Sequence, residues 1–215
     1  MSRGYLIVFE GVDGSGTTTQ AKELRQRFLG RGLPVHVTAQ PSQGPVGMLI
    51  RQVLTGRLVL RGTKAPGWST MALLFAADRQ DHQESEIEPN LRDGVNVICD
   101  RYLPSSVIYQ SVTSDWDEAA QWILDLNRHI RKPDLMFYVQ VDPVVAMRRR
   151  ERRTGRAEIY DDPKLQQLLV EEYDRLEELI QDVEIVTLDG SREIAEIADD
   201  AWSHVEALRA RGAPV

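Results

Sequence analysis

The chain reads as an α/β protein, a five-stranded parallel sheet flanked by helices, and three observations predict it. Five short apolar segments, at 5–9, 35–38, 95–99, 135–141 and 185–188, are spaced along the sequence. Stretches with helical spacing separate them, the pattern of successive βαβ units. Between the first segment and the first helix lies a glycine-rich turn, Gly11-Val-Asp-Gly-Ser-Gly-Thr-Thr-Thr19.

Each element follows from its residues. Tyr5-Leu-Ile-Val-Phe9 is apolar and β-rich, as a strand buried on both faces must be. Residues 17–30 carry Ala21, Leu24, Phe28 and Leu29 at helical spacing. Further helices are expected at 45–55, 69–88, 116–130, 143–153, 164–181 and 191–209, with Pro133, Pro143 and Pro163 at element boundaries. Residues 56–67 hold three glycines and a proline and read as a surface loop. No repeat, low-complexity tract or linker divides the sequence, so one domain spanning 1–215 is expected.

The turn at 11–19 sits between strand and helix, the setting that gives a phosphate-binding loop its meaning. Gly11, Gly14 and Gly16 let backbone N–H groups converge, and the helix that follows adds the positive end of its dipole. Ser15 lies within this nest. Thr18 is the expected magnesium ligand and Thr19 a donor to the α-phosphate of ATP. The pattern G-x-x-x-x-G-K-[ST] is met at Gly11, Gly16 and Thr18, but Thr17 occupies the lysine position. A missing charge at the β- and γ-phosphates is expected to cost ~3 kcal/mol of transition-state stabilisation, a hundredfold in rate, unless another group supplies it.

Bulk properties narrow the partners. The net charge of −7 argues against nucleic acid, which favours a basic face. A single cysteine, Cys99, ends an apolar segment and reads as packing, so no disulfide framework is expected. The four histidines, at 36, 82, 129 and 204, show no metal-ligand spacing. No apolar stretch approaches membrane length and no signal peptide is visible, which makes the cytoplasm the expected location.

A second constellation follows the third apolar segment. Asp100 and Arg101 stand at its C-terminal end, the edge of a parallel sheet where ligands bind. Asp100 either orients magnesium-bound water beside Thr18 or caps the next turn; Arg101 has the geometry to grip a phosphate. Upstream, Phe75 and Arg79 lie four positions apart on one helical face, an aromatic beside a cation suited to a base.

Taken together, Phe9-Glu-Gly-Val-Asp-Gly-Ser-Gly16, Leu74-Phe-Ala-Ala-Asp-Arg79 and Asp100-Arg-Tyr-Leu-Pro-Ser-Ser-Val-Ile-Tyr-Gln110 resemble the thymidylate kinase family. The resemblance implies a three-layer P-loop NTPase-type fold with a short lid at about 148–161. It implies transfer of the ATP γ-phosphoryl group to dTMP with Mg²⁺, in a homodimer that binds neither nucleic acid nor membrane.

By the same resemblance Phe75 stacks on thymine, Arg79 bonds its carbonyl edge, and Ser105, Ser106 and Gln110 lie where the base is read. Tyr109 occupies the ribose 2′ side and favours deoxyribose. Asp13 positions the acceptor nucleotide, and Arg101 binds its phosphate, with Arg51 as a further phosphate contact. Arg149, Arg153 and Arg156 fall in the lid, where arginines stabilise transfer, and Glu158 and Asp161 resemble lid acids facing the metal or acceptor phosphate. After the last strand, Asp189-Gly190-Ser191 reads equally as the adenine position or as a simple helix entry.

The chain also departs from the pattern. Thr38-Ala-Gln-Pro41 stands where many relatives have Thr-Arg-Glu-Pro, so charge is missing at a second edge of the same site. Lys22 lies a turn too deep in its helix to replace the absent lysine. Two other readings stand beside the dTMP kinase: a nucleotide-binding protein with impaired catalysis, and a kinase for another pyrimidine deoxynucleotide such as dUMP.

Overall fold

A computed structural model of the chain describes residues 3–58, 66–152 and 162–212. Five parallel strands form one sheet in the order β2-β3-β1-β4-β5. They are β1 (Leu6–Glu10), β2 (Val35–Ala39), β3 (Asn96–Asp100), β4 (Leu135–Gln140) and β5 (Ile185–Asp189). All five expected strands form, each within a residue or so of its predicted limits.

Helices cover both faces, and the alternation of side chains along each strand divides the core in two. Leu6, Val8, Cys99, Met136 and Tyr138 pack on one side with Ile87, Leu91, Ile108, Leu169 and Tyr173. Ile87 ends the π-helical turn that leads into α4 (Glu88–Arg92), and the others come from α4, α5 (Leu103–Val112) and α8 (Pro163–Tyr173). Ile7, Phe9, Ile98, Phe137 and Val139 pack on the other side against α1 (Thr17–Gly30) and α10 (Ile194–Ala210), through Leu24, Phe28, Ile197 and Trp202. Cys99 is buried and free, as expected of a packing residue.

The remaining helices are α2 (Pro45–Leu54), α3 (Trp68–His82), α6 (Ala119–Leu126), α7 (Pro143–Glu151) and α9 (Leu176–Leu179). α3 passes through a π-helical turn, Gln83–Ile87, into α4, so the helix expected at 69–88 continues to Arg92. α5 is absent from the sequence-based reading, and the helix expected at 116–130 is only α6. Pro104 in the first turn of α5 marks a legitimate helix start, but β-branched Val107 and Ile108 obscure its periodicity. The stretch 164–181 divides into α8 and α9.

Register fixes what the sheet presents at its C-terminal edge. Phe9 lies opposite Asp100 on one side of β1 and Phe137 on the other, and Glu10 lies opposite Tyr138. The strand order reverses beside β1, so the loops after β1 and β3 open onto a common crevice.

Candidate active site

That crevice is a cavity of about 470 Å³. It is lined by Asp13, Gly14, Gly16, Thr17, Thr18 and Thr19 from the β1–α1 loop, and by Arg51, Phe75 and Arg79 from α2 and α3. Asp100, Arg101, Ser105, Ser106, Tyr109 and Gln110 line it from β3 and α5, and Arg149 from α7. Residues up to 136 positions apart, Asp13 and Arg149, thus share one cavity. Arg153, Arg156, Glu158 and Asp161 lie outside the described residues. Lys22 is exposed on α1.

The loop is shaped by backbone that only glycine tolerates. Gly14 has φ +89°, and a Cβ there would meet the Ala146 carbonyl oxygen of α7 at 2.4 Å. Gly11, at φ +155°, would place one 2.8 Å from the Val139 carbonyl. The turn is therefore pressed between β4 and α7, and Gly16 caps α1 with Thr17 as the first helical residue. Ser15 lies beneath it, buried, with its Oγ unpartnered among the described residues.

Thr18 Oγ1 donates to Asp100 Oδ2 at 2.5 Å, bringing the two expected magnesium-site residues together. Asp100 Oδ1 is buried without a hydrogen-bond partner among the described residues. An orphaned carboxylate oxygen beside a threonine hydroxyl fits a Mg²⁺ whose other ligands are waters and phosphate oxygens. Among the described residues no group of three or more His, Cys, Asp or Glu side chains converges on a metal position. A Mg²⁺ here would thus be shared with a nucleotide rather than caged by protein.

The cluster around Arg101 is denser. Arg101 Nη2 donates to Asp13 Oδ1 at 2.5 Å, and the Tyr109 hydroxyl donates to Asp13 Oδ2 at 3.0 Å. The Arg101 guanidinium carbon lies 5.4 Å from the centre of the Tyr109 ring, within cation–π range. Burial opposes charge on Arg101, yet Tyr109, Asp13, Tyr173 and Glu10 around it hold its proton more firmly than usual. Burial, only partly offset by Arg101, pushes the Tyr109 phenol well above its ordinary range. Arg101 adopts φ +70°, a left-handed conformation that costs a non-glycine residue roughly 1–3 kcal/mol and concentrates at functional sites.

Arg79 is only 1 % exposed. Its Nε donates to Gln40 Oε1 at 2.9 Å and its Nη1 to Asn127 Oδ1 at 2.7 Å. Its Nη2 reaches Ser106 Oγ at 2.6 Å and the Tyr102 carbonyl at 3.2 Å. Desolvation weakens its hold on the proton, with neighbouring Tyr102, Glu10 and Asp78 acting the other way. Phe75 is half-buried against the apolar group of Ile50, Val53, Leu54 and Met71, leaving ring surface to the cavity. Arg51 donates to the Pro41 carbonyl and keeps its Nε buried and unpartnered among the described residues. The Ser105 hydroxyl bonds to Glu10, Arg101 and Tyr173.

Arg149 spans two loops. It donates to the Ser15 carbonyl at 3.2 Å and the Gly190 carbonyl at 2.9 Å, joining the phosphate loop to the Asp189–Gly190–Ser191 turn. Arg150, one position on, packs its Cγ against Gly14 and buries an unpartnered Nη1.

Sequence reasoning missed several residues that build this site. Glu10, Gln40, Asn127 and Tyr173 are buried and bond directly to cavity residues. For Gln40 the signal was present, since an amide stands where an acid is usual. For Asn127 and Tyr173 there was none, because their partners lie 48 and 68 or more residues away.

Comparison with known proteins gives a consistent picture. The thymidylate kinase family model matches residues 9–201. A probable thymidylate kinase of Pyrococcus horikoshii is 37% identical over 186 residues, 86% of this chain and 88% of the relative. One from Thermococcus kodakarensis is 39% identical over 185 residues, covering 84% and 87% respectively. Among solved structures, a thymidylate kinase from Candida albicans superposes with a TM-score of 0.77 at 26% identity, over 96% of this chain and 93% of that one.

Proposed function

The chain belongs to the thymidylate kinase family, and on that premise we propose that it transfers the γ-phosphoryl group of ATP to dTMP, giving ADP and dTDP. The observation that carries the reading is the cavity itself. It unites a phosphate loop, the Thr18–Asp100 pair, the Arg101–Asp13–Tyr109 cluster and the Phe75–Arg79 pair.

In this reading the loop N–H groups and the N-terminus of α1 hold the ATP phosphate chain. Thr18 and Asp100 would hold Mg²⁺, which supplies charge neutralisation at the phosphates. Arg101 grips the dTMP phosphate and orients one of its oxygens toward the γ-phosphorus. That oxygen forms the new P–O bond as the β–γ bridge breaks, and the bridging electron pair leaves on ADP. Phe75 stacks on thymine while Arg79, with Ser106 and Gln110, presents polar atoms to the base edge. Tyr109, buried and packed by Arg101, stands on the 2′ side of the sugar and favours deoxyribose.

Thr17 makes the donor side short of one charge, and arginines of the α7 region supply it. Arg149 already rests on the phosphate loop, and Arg153 and Arg156 follow it in the sequence. The fold does its work in the cytoplasm, as a homodimer. The paired helices α2 and α3 expose Met48, Leu49 and Leu73, an apolar face suited to a second copy.

ADP release measured with dTMP, dUMP, dCMP and UMP tests the activity and the base preference together. Turnover with dTMP well above the others is expected. Binding of both ATP and dTMP without ADP release would overturn the enzyme reading and leave an impaired nucleotide binder, the alternative that Thr17 favours. Sedimentation of the native chain against Leu73→Asp tests the dimer.

A further inference from the structure

Beneath the cavity lies a carboxylate that the transfer chemistry does not use. Glu10, the last residue of β1, is fully buried. Its Oε1 accepts from the backbone N–H of Tyr102 at 2.7 Å and of Ser105 at 3.3 Å, at the start of α5. Its Oε2 accepts from the Ser105 hydroxyl at 2.7 Å and the Tyr173 hydroxyl at 3.0 Å. The same two hydroxyls lie 3.1 and 3.4 Å from Arg101 Nη1.

The direction of these bonds is not free. A guanidinium only donates and a carboxylate only accepts. Both hydroxyls therefore accept from Arg101, and since they also bond each other at 2.8 Å, their two protons leave at least one donated to Glu10. The result is a buried ion pair with two hydroxyls interposed. Burial raises the Glu10 carboxyl above its ordinary range, while Arg101, Ser105, the Tyr102 N–H and Tyr173 favour its charged form. Two backbone N–H groups and at least one hydroxyl meet its two oxygens, the satisfaction a buried charge requires.

The surroundings of Arg101 are fixed as well. Its own N–H donates to the Phe9 carbonyl at 2.8 Å, and the next N–H, of Tyr102, is held by Glu10. Both peptides flanking the left-handed Arg101 are thus anchored to the last two residues of β1. From the far side, the Tyr173 ring stacks on Tyr138 with centroids 5.6 Å apart and planes at 10°, which aims its hydroxyl.

We propose that Glu10 is a positioning residue for recognition of a phosphate monoester, holding the Arg101 guanidinium in the acceptor site through the hydroxyls of Ser105 and Tyr173. A direct Glu10–Arg101 pair would neutralise the charge that an incoming dianion needs. Interposed hydroxyls orient the guanidinium without adding a second direct carboxylate to the one it already meets in Asp13. The proposal rests on the reading of Arg101 as the acceptor-phosphate group.

The test compares dTMP with thymidine, which lacks the phosphate, by titration calorimetry or ligand-observed NMR. Tyr173→Phe keeps the ring and removes one bridge, and is expected to weaken dTMP binding about tenfold, the worth of one charge-assisted hydrogen bond. Thymidine binding should not change. In an Arg101→Ala background Tyr173→Phe should weaken dTMP no further, and Ser105→Ala should follow the same pattern. Glu10→Gln should show the largest phosphate-specific loss, and if it does not fold the hydroxyl variants carry the test. Equal losses for dTMP and thymidine, no loss for either, or a Tyr173 effect that persists without Arg101 would overturn the proposal. Should the native chain bind neither ligand, the kinase reading itself falls, and the proposal with it; native binding with unaltered variants overturns the proposal alone.

Discussion

The two halves of the cavity are built differently. On the acceptor side, Arg79, Arg101, Asp13 and Tyr109 are tied into chains of hydrogen bonds that reach buried Glu10, Gln40, Asn127 and Tyr173. On the donor side, the phosphate loop offers backbone N–H groups, the Thr18–Asp100 pair and Arg149, with a threonine where a charge is usual. The first half is pre-organised, whereas in the proposed reading the second takes its charge from its ligands and from α7.

Removing Arg101 should give the largest effect. Arg101→Ala is expected to lower turnover with dTMP by about 10²–10³-fold, the usual cost of losing one donor aimed at transition-state charge. A steady-state assay showing less than a tenfold change would place the decisive charge elsewhere. Next comes Thr17→Lys, which should raise kcat by about tenfold while leaving the KM for dTMP unchanged, since it acts on the donor half alone. A fall in kcat would mean that the loop has been rebuilt around threonine. Arg149→Ala should raise the KM for ATP by roughly threefold to tenfold through loss of the clip between the phosphate loop and Gly190, again without altering dTMP. Equal changes in both constants would erase the division between the halves.

The smallest effect is a pH dependence of the acceptor half. Gln40 must turn its oxygen to Arg79, so its N–H₂ faces His82 Nδ1 at 3.2 Å. His82 is then neutral, with Nε2 donating to Thr38 Oγ1 at 2.8 Å. Desolvation lowers its affinity for a proton from the ordinary 6.5, although Glu86 and Asp78 pull the other way. Below pH 6.5 the unfolded chain binds a proton that the native state resists, so stability falls as the pH drops from there toward the folded value. Melting curves from pH 7.5 to 5.5 should show this decline, and His82→Gln should flatten it.

Most of the fold and the visible wall of the site were legible in the sequence. Apolar runs with turn residues between them located five strands, because β1, β3 and β4 are buried almost throughout and the edge strands β2 and β5 keep enough β-branched residues to show. The glycines and Thr18 were legible because phosphate chemistry demands them at set places along one loop, and Asp100 and Arg101 because they stand where a buried strand ends. The supports behind them were not. Glu10 looks like the end of a strand, and its partner Tyr173 is 163 residues away. α5 was hidden because Ser106, Val107, Ile108, Tyr109 and Gln110 are all buried in succession, which leaves no polar face to mark a helical period. Local pattern records what a residue must be, and not which distant group it will meet.

The strand order carries a consequence for how the chain is made. β1 has neighbours β3 and β4, both downstream, and β2 pairs only with β3. The first two strands to leave the ribosome therefore have nothing to pair with, and no rung of the sheet can form before Asn96–Asp100 has emerged. β1 gains its second edge only with Leu135–Gln140. The nucleotide loop, encoded within the first twenty residues, is thus among the last parts to become ordered, and a nascent chain of about a hundred residues carries apolar β1 unpaired on at least one edge.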